Sequence, residues 1–245
     1  MTPFIAEFIG TMLLILLGNG VVANIVLDKT KGNNGGWLLV NFAWGLSVYA
    51  AVVVAGPYSG AHINPAVTIG LAVAGLFEWS MVGPYIAAQM LGAAAGATVV
   101  WLTYKDHYFQ TDDTDAKLAT FCTAPAIRNS FSNVLTEAIA TFVLVFVVLY
   151  IVGPTFSADN IENGQIGLGS LGALPVALLV TVIGMGLGGP TGYAINPARD
   201  LGPRIMHSIL PMGKKGSGDW SYSWVPVVGP ILGGIAAAGL FLLLQ

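Results

Sequence analysis

Ser-Gly-Ala-His-Ile-Asn-Pro-Ala-Val-Thr-Ile-Gly (residues 59–70) returns 132 positions later as Thr-Gly-Tyr-Ala-Ile-Asn-Pro-Ala-Arg-Asp-Leu-Gly (191–202), with six of twelve positions identical. Each copy opens a short apolar stretch, approximately 64–74 and 196–209. Both fall well below the roughly 20 residues that a crossing helix needs. A half-length segment at membrane depth must be re-entrant, because lipid cannot satisfy irregular backbone; that backbone has to be buried in protein or line a wet cavity. Asn is a strong helix N-cap, and Pro fits the first turn, where its missing N–H costs nothing. Asn64-Pro65-Ala66 and Asn196-Pro197-Ala198 therefore each mark the start of a half-helix.

Working outward, six longer apolar stretches flank these two, at approximately 5–27, 36–56, 81–104, 131–153, 171–189 and 222–244. The chain is 55% hydrophobic and 9% charged, against about 25% charged in a typical soluble domain. Such a chain lacks the polar side chains to cover a water-facing surface, so the stretches read as membrane crossings. The first lacks the positive leader of a signal peptide and reads as a retained crossing. Glu7 and Thr11 of the first crossing stand opposite Glu137 and Thr141 of the fourth, and Leu91-Gly92 of the third opposite Leu232-Gly233 of the sixth. Two halves, about 1–104 and 131–245, thus each hold three crossings and one half-helix in a single domain, 1–245. Three is odd, so the second half is inverted relative to the first. The predicted fold is an all-α membrane protein of six crossings and two re-entrant half-helices, whose Asn-Pro-Ala starts meet near mid-bilayer.

Each helix start carries about half a positive charge. Two facing starts oppose cations and a hydronium ion and orient a passing dipole. The Asn64 and Asn196 amides add fixed donors for a water or hydroxyl oxygen, which breaks a proton wire. Arg199 lies in the first turn of the second half-helix; an intramembrane arginine is costly and marks function. Its planar fork offers donors and a fixed positive charge. Extended backbone at Gly60, Ala61, His62 and Ile63, and at Gly192, Tyr193, Ala194 and Ile195, supplies carbonyls for an acceptor ladder along the path. His62 reads either as a packed, hydrogen-bonded ring or as a ring open to the pore.

The paired motifs and their flanks resemble the aquaporin, or major intrinsic protein, family over essentially the whole chain, and most closely its glycerol-conducting branch. The resemblance implies a passive channel for glycerol, other small neutral solutes and water. It implies one pore per subunit in a homotetramer within the cell membrane. It places Trp44, Gly184, Tyr193 and Arg199 in the narrowest ring, and has Glu7 and Glu137 brace the two signature loops. Asp200, Arg204, Pro226 and Val227 are further marks of that branch. In this ring Gly184 removes a side chain and widens the opening, Trp44 and Tyr193 offer faces to a carbon backbone, and Arg199 supplies donors opposite. Tyr193 departs from the Phe usual beside such a Trp, and its hydroxyl bears on the preferred solute.

The same resemblance puts both termini in the cytoplasm. All nine Lys and Arg then fall in the outer connections. Setting aside Arg199 and Arg204 in the re-entrant segment, the other seven run against the positive-inside rule. The net charge of −3, with no basic run or face, argues against nucleic acid. One cysteine, Cys122, and three histidines without metal spacing leave no reading of a metal centre or cofactor. The rivals are a water-selective pore, an ion channel or coupled transporter, and a membrane enzyme. Gly184 and Asp200 argue against the first; a lone cation at the midplane suits neither form of the second; no nucleophile has an evident base for the third.

Overall fold

The computed structural model describes residues 1–158 and 161–245. Helices α1 (Pro3–Val26), α2 (Gly36–Ser59), α3 (Pro65–Val73) and α4 (Trp79–Thr103) form the first half. Short helices α5 (Lys105–Gln110) and α6 (Thr114–Ala119) lie in the long connection. The second half comprises α7 (Ser130–Tyr150), α8 (Leu174–Leu187), α9 (Pro197–Ile209) and α10 (Val225–Leu243). Helix α8 is only 14 residues long, about 21 Å at helical rise, and a 3₁₀ turn at Gly169–Ala173 extends it toward bilayer thickness. Six helical spans are long and apolar enough to cross a membrane, so this is a multi-pass membrane protein.

One feature lay outside the expected all-α plan. The connection before α8 holds a two-stranded antiparallel hairpin, β1 (Thr155–Ala158) and β2 (Ile161–Gln165). It sits in a polar connection between crossings, where alternating hydrophobicity is too short to read.

The half-helices cross between the halves. Helix α3 packs on α10, and α9 packs on α4, while α1 lies against α4 and α7 against α10. Each half therefore seats its re-entrant helix on the last crossing of the other. Six crossings put both ends of the chain on one face, and α3 returns to that face while α9 runs to the opposite one. Small residues permit the close helix contacts: a Cβ on Gly92 would fall on the Phe8 carbonyl, and one on Gly233 on the Ala138 carbonyl.

The polarity pattern suits lipid. Leu38, Leu46, Leu178, Val182 and Leu232 are exposed, whereas Glu7, Asn41, Gln89, Glu137, Asp200 and Arg204 are buried. The cations of the face opposite the termini are largely engaged by protein. Buried Lys117 donates its Nζ to the carbonyls of Met212 and Lys214 at 3.0 and 2.7 Å. Lys215 donates to those of His207, Ser208 and Leu210 at the end of α9, where a cation meets the negative pole of the helix. Arg128 pairs with Asp219. The lysines that a charge count treats as free loop residues thus staple the long connections down.

Gly92→Ala and Gly233→Ala should each lose about 1–3 kcal/mol through overpacking, read as a lowered thermal midpoint in detergent. Gly83→Ala, where a Cβ meets open space, should leave the midpoint unmoved. Equal midpoints in all three would contradict the close contacts.

Candidate functional site

The two half-helix starts face each other and are tied reciprocally. Asn64 caps α3 by accepting from the Ala66 N–H at 2.9 Å, and its amide donates to the Ile195 carbonyl at 2.7 Å. Asn196 caps α9 by accepting from Ala198 and Arg199 N–H at 3.0 and 3.1 Å, and donates to the Ile63 carbonyl at 2.8 Å. A carboxamide has two N–H donors. One on each Asn is used in this cross-tie, and the other has no acceptor among the described residues; both asparagines line one cavity. The prolines and alanines behind them are buried in the helix starts and take no part in the wall.

The loops leading to these starts share one backbone. Gly60 and Gly192 both have φ 78°, Ala61 and Tyr193 have 51° and 37°, and Ile63 and Ile195 have 45° and 44°. A β-branched residue in the left-handed region is strained, and such strain persists only where surrounding structure over-determines it. Two buried glutamates do so. Glu7 accepts from the N–H groups of His62 and Ile63 at 2.9 and 2.7 Å, and also from Ser59 Oγ and Gln89 Nε2. Glu137 accepts from Ala194 and Ile195 N–H at 2.9 and 2.8 Å. With the N–H groups turned outward to carboxylates, the carbonyls of Gly60, Ala61, His62, Gly192, Tyr193 and Ala194 have no hydrogen-bond donor among the described residues.

A cavity of about 240 Å³ runs along these loops. Its lining begins at Trp44, Tyr193 and Arg199, passes Asn64 and Asn196, and ends among Val52, Leu71, Val148, Ile151 and Gly172 toward the face of the termini. One wall is polar loop and the other apolar side chain: Leu14, Val48, Leu144, Val176 and Val180. The Arg199 guanidinium lies 4.2 Å from the centre of the Trp44 ring, a cation–π contact. It forms no ion pair among the described residues, and its Nη1 is buried without a partner. His62 lines the cavity yet is packed, with Nδ1 3.1 Å from Thr68 Oγ1 and its ring against Phe77 and Tyr85.

Two expectations are corrected by the geometry. Gly184 does not border the cavity; a Cβ there would lie 2.6 Å from Tyr193 Cζ. Its missing side chain makes room for the Tyr193 ring instead of widening the lumen. Gly192, expected to lend its carbonyl to the path, also lies off the wall, as does Asp200, which was read only as a mark of the branch. Asp200 faces protein: it accepts from Thr123 N–H and Oγ1 at 2.8 and 2.7 Å and pairs with Arg204. Arg204 in turn donates to the carbonyls of Thr123, Gly218 and Asp219. This buried network anchors α9, and with it Arg199, to both long connections.

Residues 1–241 match the family described as Major intrinsic protein. The chain belongs to that family. It is 56% identical over 241 residues, covering 98% of both chains, to a protein of Thermotoga maritima called a probable glycerol uptake facilitator protein. It is 51% identical, again over 98% of both, to the glycerol uptake facilitator protein of Streptococcus pneumoniae. Among solved structures it resembles the aquaglyceroporin from Plasmodium falciparum, with a TM-score of 0.81 and 32% identity over 97% of this chain and 93% of that one. In this major intrinsic protein sequence reading missed Gln89, Ser59 and Thr123, which brace the loops and α9, and Asn41, buried within α2. Gln89 and Asn41 are amides inside apolar crossings; intramembrane polar residues are themselves a readable signal. Ser59 and Thr123 carry no such signal, since hydroxyls are common in membrane helices and loops.

Replacing Glu137 with Leu strands two buried N–H groups, each costing about 1–3 kcal/mol; Glu7→Leu strands more donors and should lower the thermal midpoint further. Glu137→Gln, which keeps a carbonyl oxygen, should fall between Glu137→Leu and the unmodified chain. A Glu7→Leu midpoint equal to that of the unmodified chain would show that the loops hold their shape without the carboxylate.

Proposed function

We propose that this chain is a passive channel for glycerol and other small uncharged solutes, and for water, that excludes ions and protons. The observation that carries the reading is the reciprocal Asn64–Asn196 tie at two facing helix starts. It leaves one directed N–H from each residue on a cavity with one polar and one apolar wall. A polyol has a hydroxyl edge and a carbon edge. Its oxygens accept from the Asn amides and Arg199, its hydroxyl hydrogens go to the loop carbonyls, and its carbons lie on Trp44, Val48 and Val180. A cation meets two positive helix poles and Arg199, with no carboxylate among the described residues of the wall to offset them. A water oxygen held by both Asn amides donates away from the midpoint in both directions, which interrupts proton hopping.

The names carried by the relatives support glycerol as a solute. The same reading takes the chain as one channel domain of two inverted halves, conducting as a homotetramer in the cell membrane with both termini in the cytoplasm. Its chemistry is transport without catalysis.

Stopped-flow light scattering on proteoliposomes tests this directly. Glycerol and water fluxes should both exceed those of empty vesicles, with no current under an applied voltage. Water flux without glycerol flux would make the channel water-selective, and a steady current would reject the barrier. Arg199→Ala should raise cation or proton leak at least several-fold while glycerol still passes; a leak unchanged from the unmodified chain would remove Arg199 from the barrier.

A further inference from the structure

We infer that Asn41 is a specificity-determining positioning residue: its carboxamide holds the Tyr193 hydroxyl inside the wall between α2 and α8, so that the collar presents a phenyl face to the solute. The inference rests on the channel reading above and names what sets its preference.

Tyr193 leaves its loop with φ 37° and drives its ring into the groove between α2 and α8. Two glycines one turn apart, Gly184 on α8 and Gly188 at its C-terminal cap, form the slot. A Cβ on Gly188 would fall on Tyr193 Cδ1, and one on Gly184 would lie 2.6 Å from Cζ and 2.8 Å from the hydroxyl oxygen. The ring therefore lies along α8 with its hydroxyl at the Gly184 end. From α2, Trp37, Asn41 and Trp44 project on one face, at successive turns. Trp37 meets the ring edge-on, with centroids 5.8 Å apart and planes at 89°. Trp44 carries Arg199. Asn41, between them, presents its Oδ1 to the same point beside Gly184 that the tyrosine hydroxyl approaches.

Asn41 has no exposed surface. Its Oδ1 and Nδ2 and the Tyr193 hydroxyl are all buried and without partners. A carboxamide and a phenol left unpaired side by side in an apolar wall are destabilising, and each is what the other lacks. The hydroxyl donates to Oδ1, or Nδ2 donates to the hydroxyl oxygen. The terminal torsion of Asn is soft, so a turn of the amide sets whether Oδ1 or Nδ2 faces the hydroxyl. Held there, Tyr193 acts on the lumen as an aromatic hydrocarbon. Freed, its hydroxyl turns to the cavity that it shares with Arg199, where it narrows the collar and adds a polar group suited to water.

The test is the ratio of glycerol to water permeability in proteoliposomes, for the unmodified chain, Asn41→Leu, Tyr193→Phe and the double variant. Asn41→Leu, close in shape, should lower the ratio about fivefold, the effect of one hydrogen bond of ordinary net strength. In the Tyr193→Phe background, whatever its own ratio, Asn41→Leu should lower the ratio no further. A ratio unmoved by Asn41→Leu, or lowered equally in both backgrounds, overturns the inference. Asn41→Ala, read in the same two backgrounds, decides the matter where Asn41→Leu fails to assemble. These results leave the channel standing; an unmodified chain that passes no glycerol removes the channel reading and this one together.

Discussion

Two buried carboxylates hold the protein's central loops in a shape the chain would not otherwise keep. Three residues in each loop sit in the left-handed region, one of them isoleucine, and such backbone relaxes unless something pins it. Glu7 and Glu137 pin it by taking the N–H groups on the outer side. That choice turns the carbonyls inward, and it sets the two half-helix starts where Asn64 and Asn196 reach across to each other's loop. The arrangement is self-consistent in both directions. The carbonyls that the Asn amides bind, those of Ile63 and Ile195, belong to residues whose N–H groups the glutamates hold.

The same loops explain why the protein is polar within and apolar without. Lipid offers no hydrogen bonds, so irregular backbone survives at that depth only inside protein. Gln89 supports Glu7 at 2.8 Å, and the Asp200–Arg204 pair ties α9 to the connections above it. Neither touches the cavity. They act on the cavity wall only through the position of Arg199 and of the loops.

Packing between halves gives the cross-tie its rigidity. Helix α3 rests on α10 and α9 on α4, so each half-helix leans on the half it does not belong to. The contact of Asn64 with Asn196's loop is thus seated on helices from both ends of the chain, and a shift in one half is felt at both starts.

The inverted repeat, the number and approximate limits of the crossings, the two helix starts and the buried place of Arg199 in the first turn of the second were legible in the sequence. They follow from local rules: length against bilayer thickness, capping chemistry, and the cost of a charge in lipid. The pairing of Glu7 with Glu137 was visible as a matched position. What each accepts, and the strain it restrains, depends on residues more than 50 positions away. Gly184 shows the limit best. In sequence it is a missing side chain and reads as added width; in the fold, Tyr193 occupies that space and Asn41 stands behind it. A side chain's absence says only that something can approach, and which group does so is decided by helices and loops that meet only when the chain is packed.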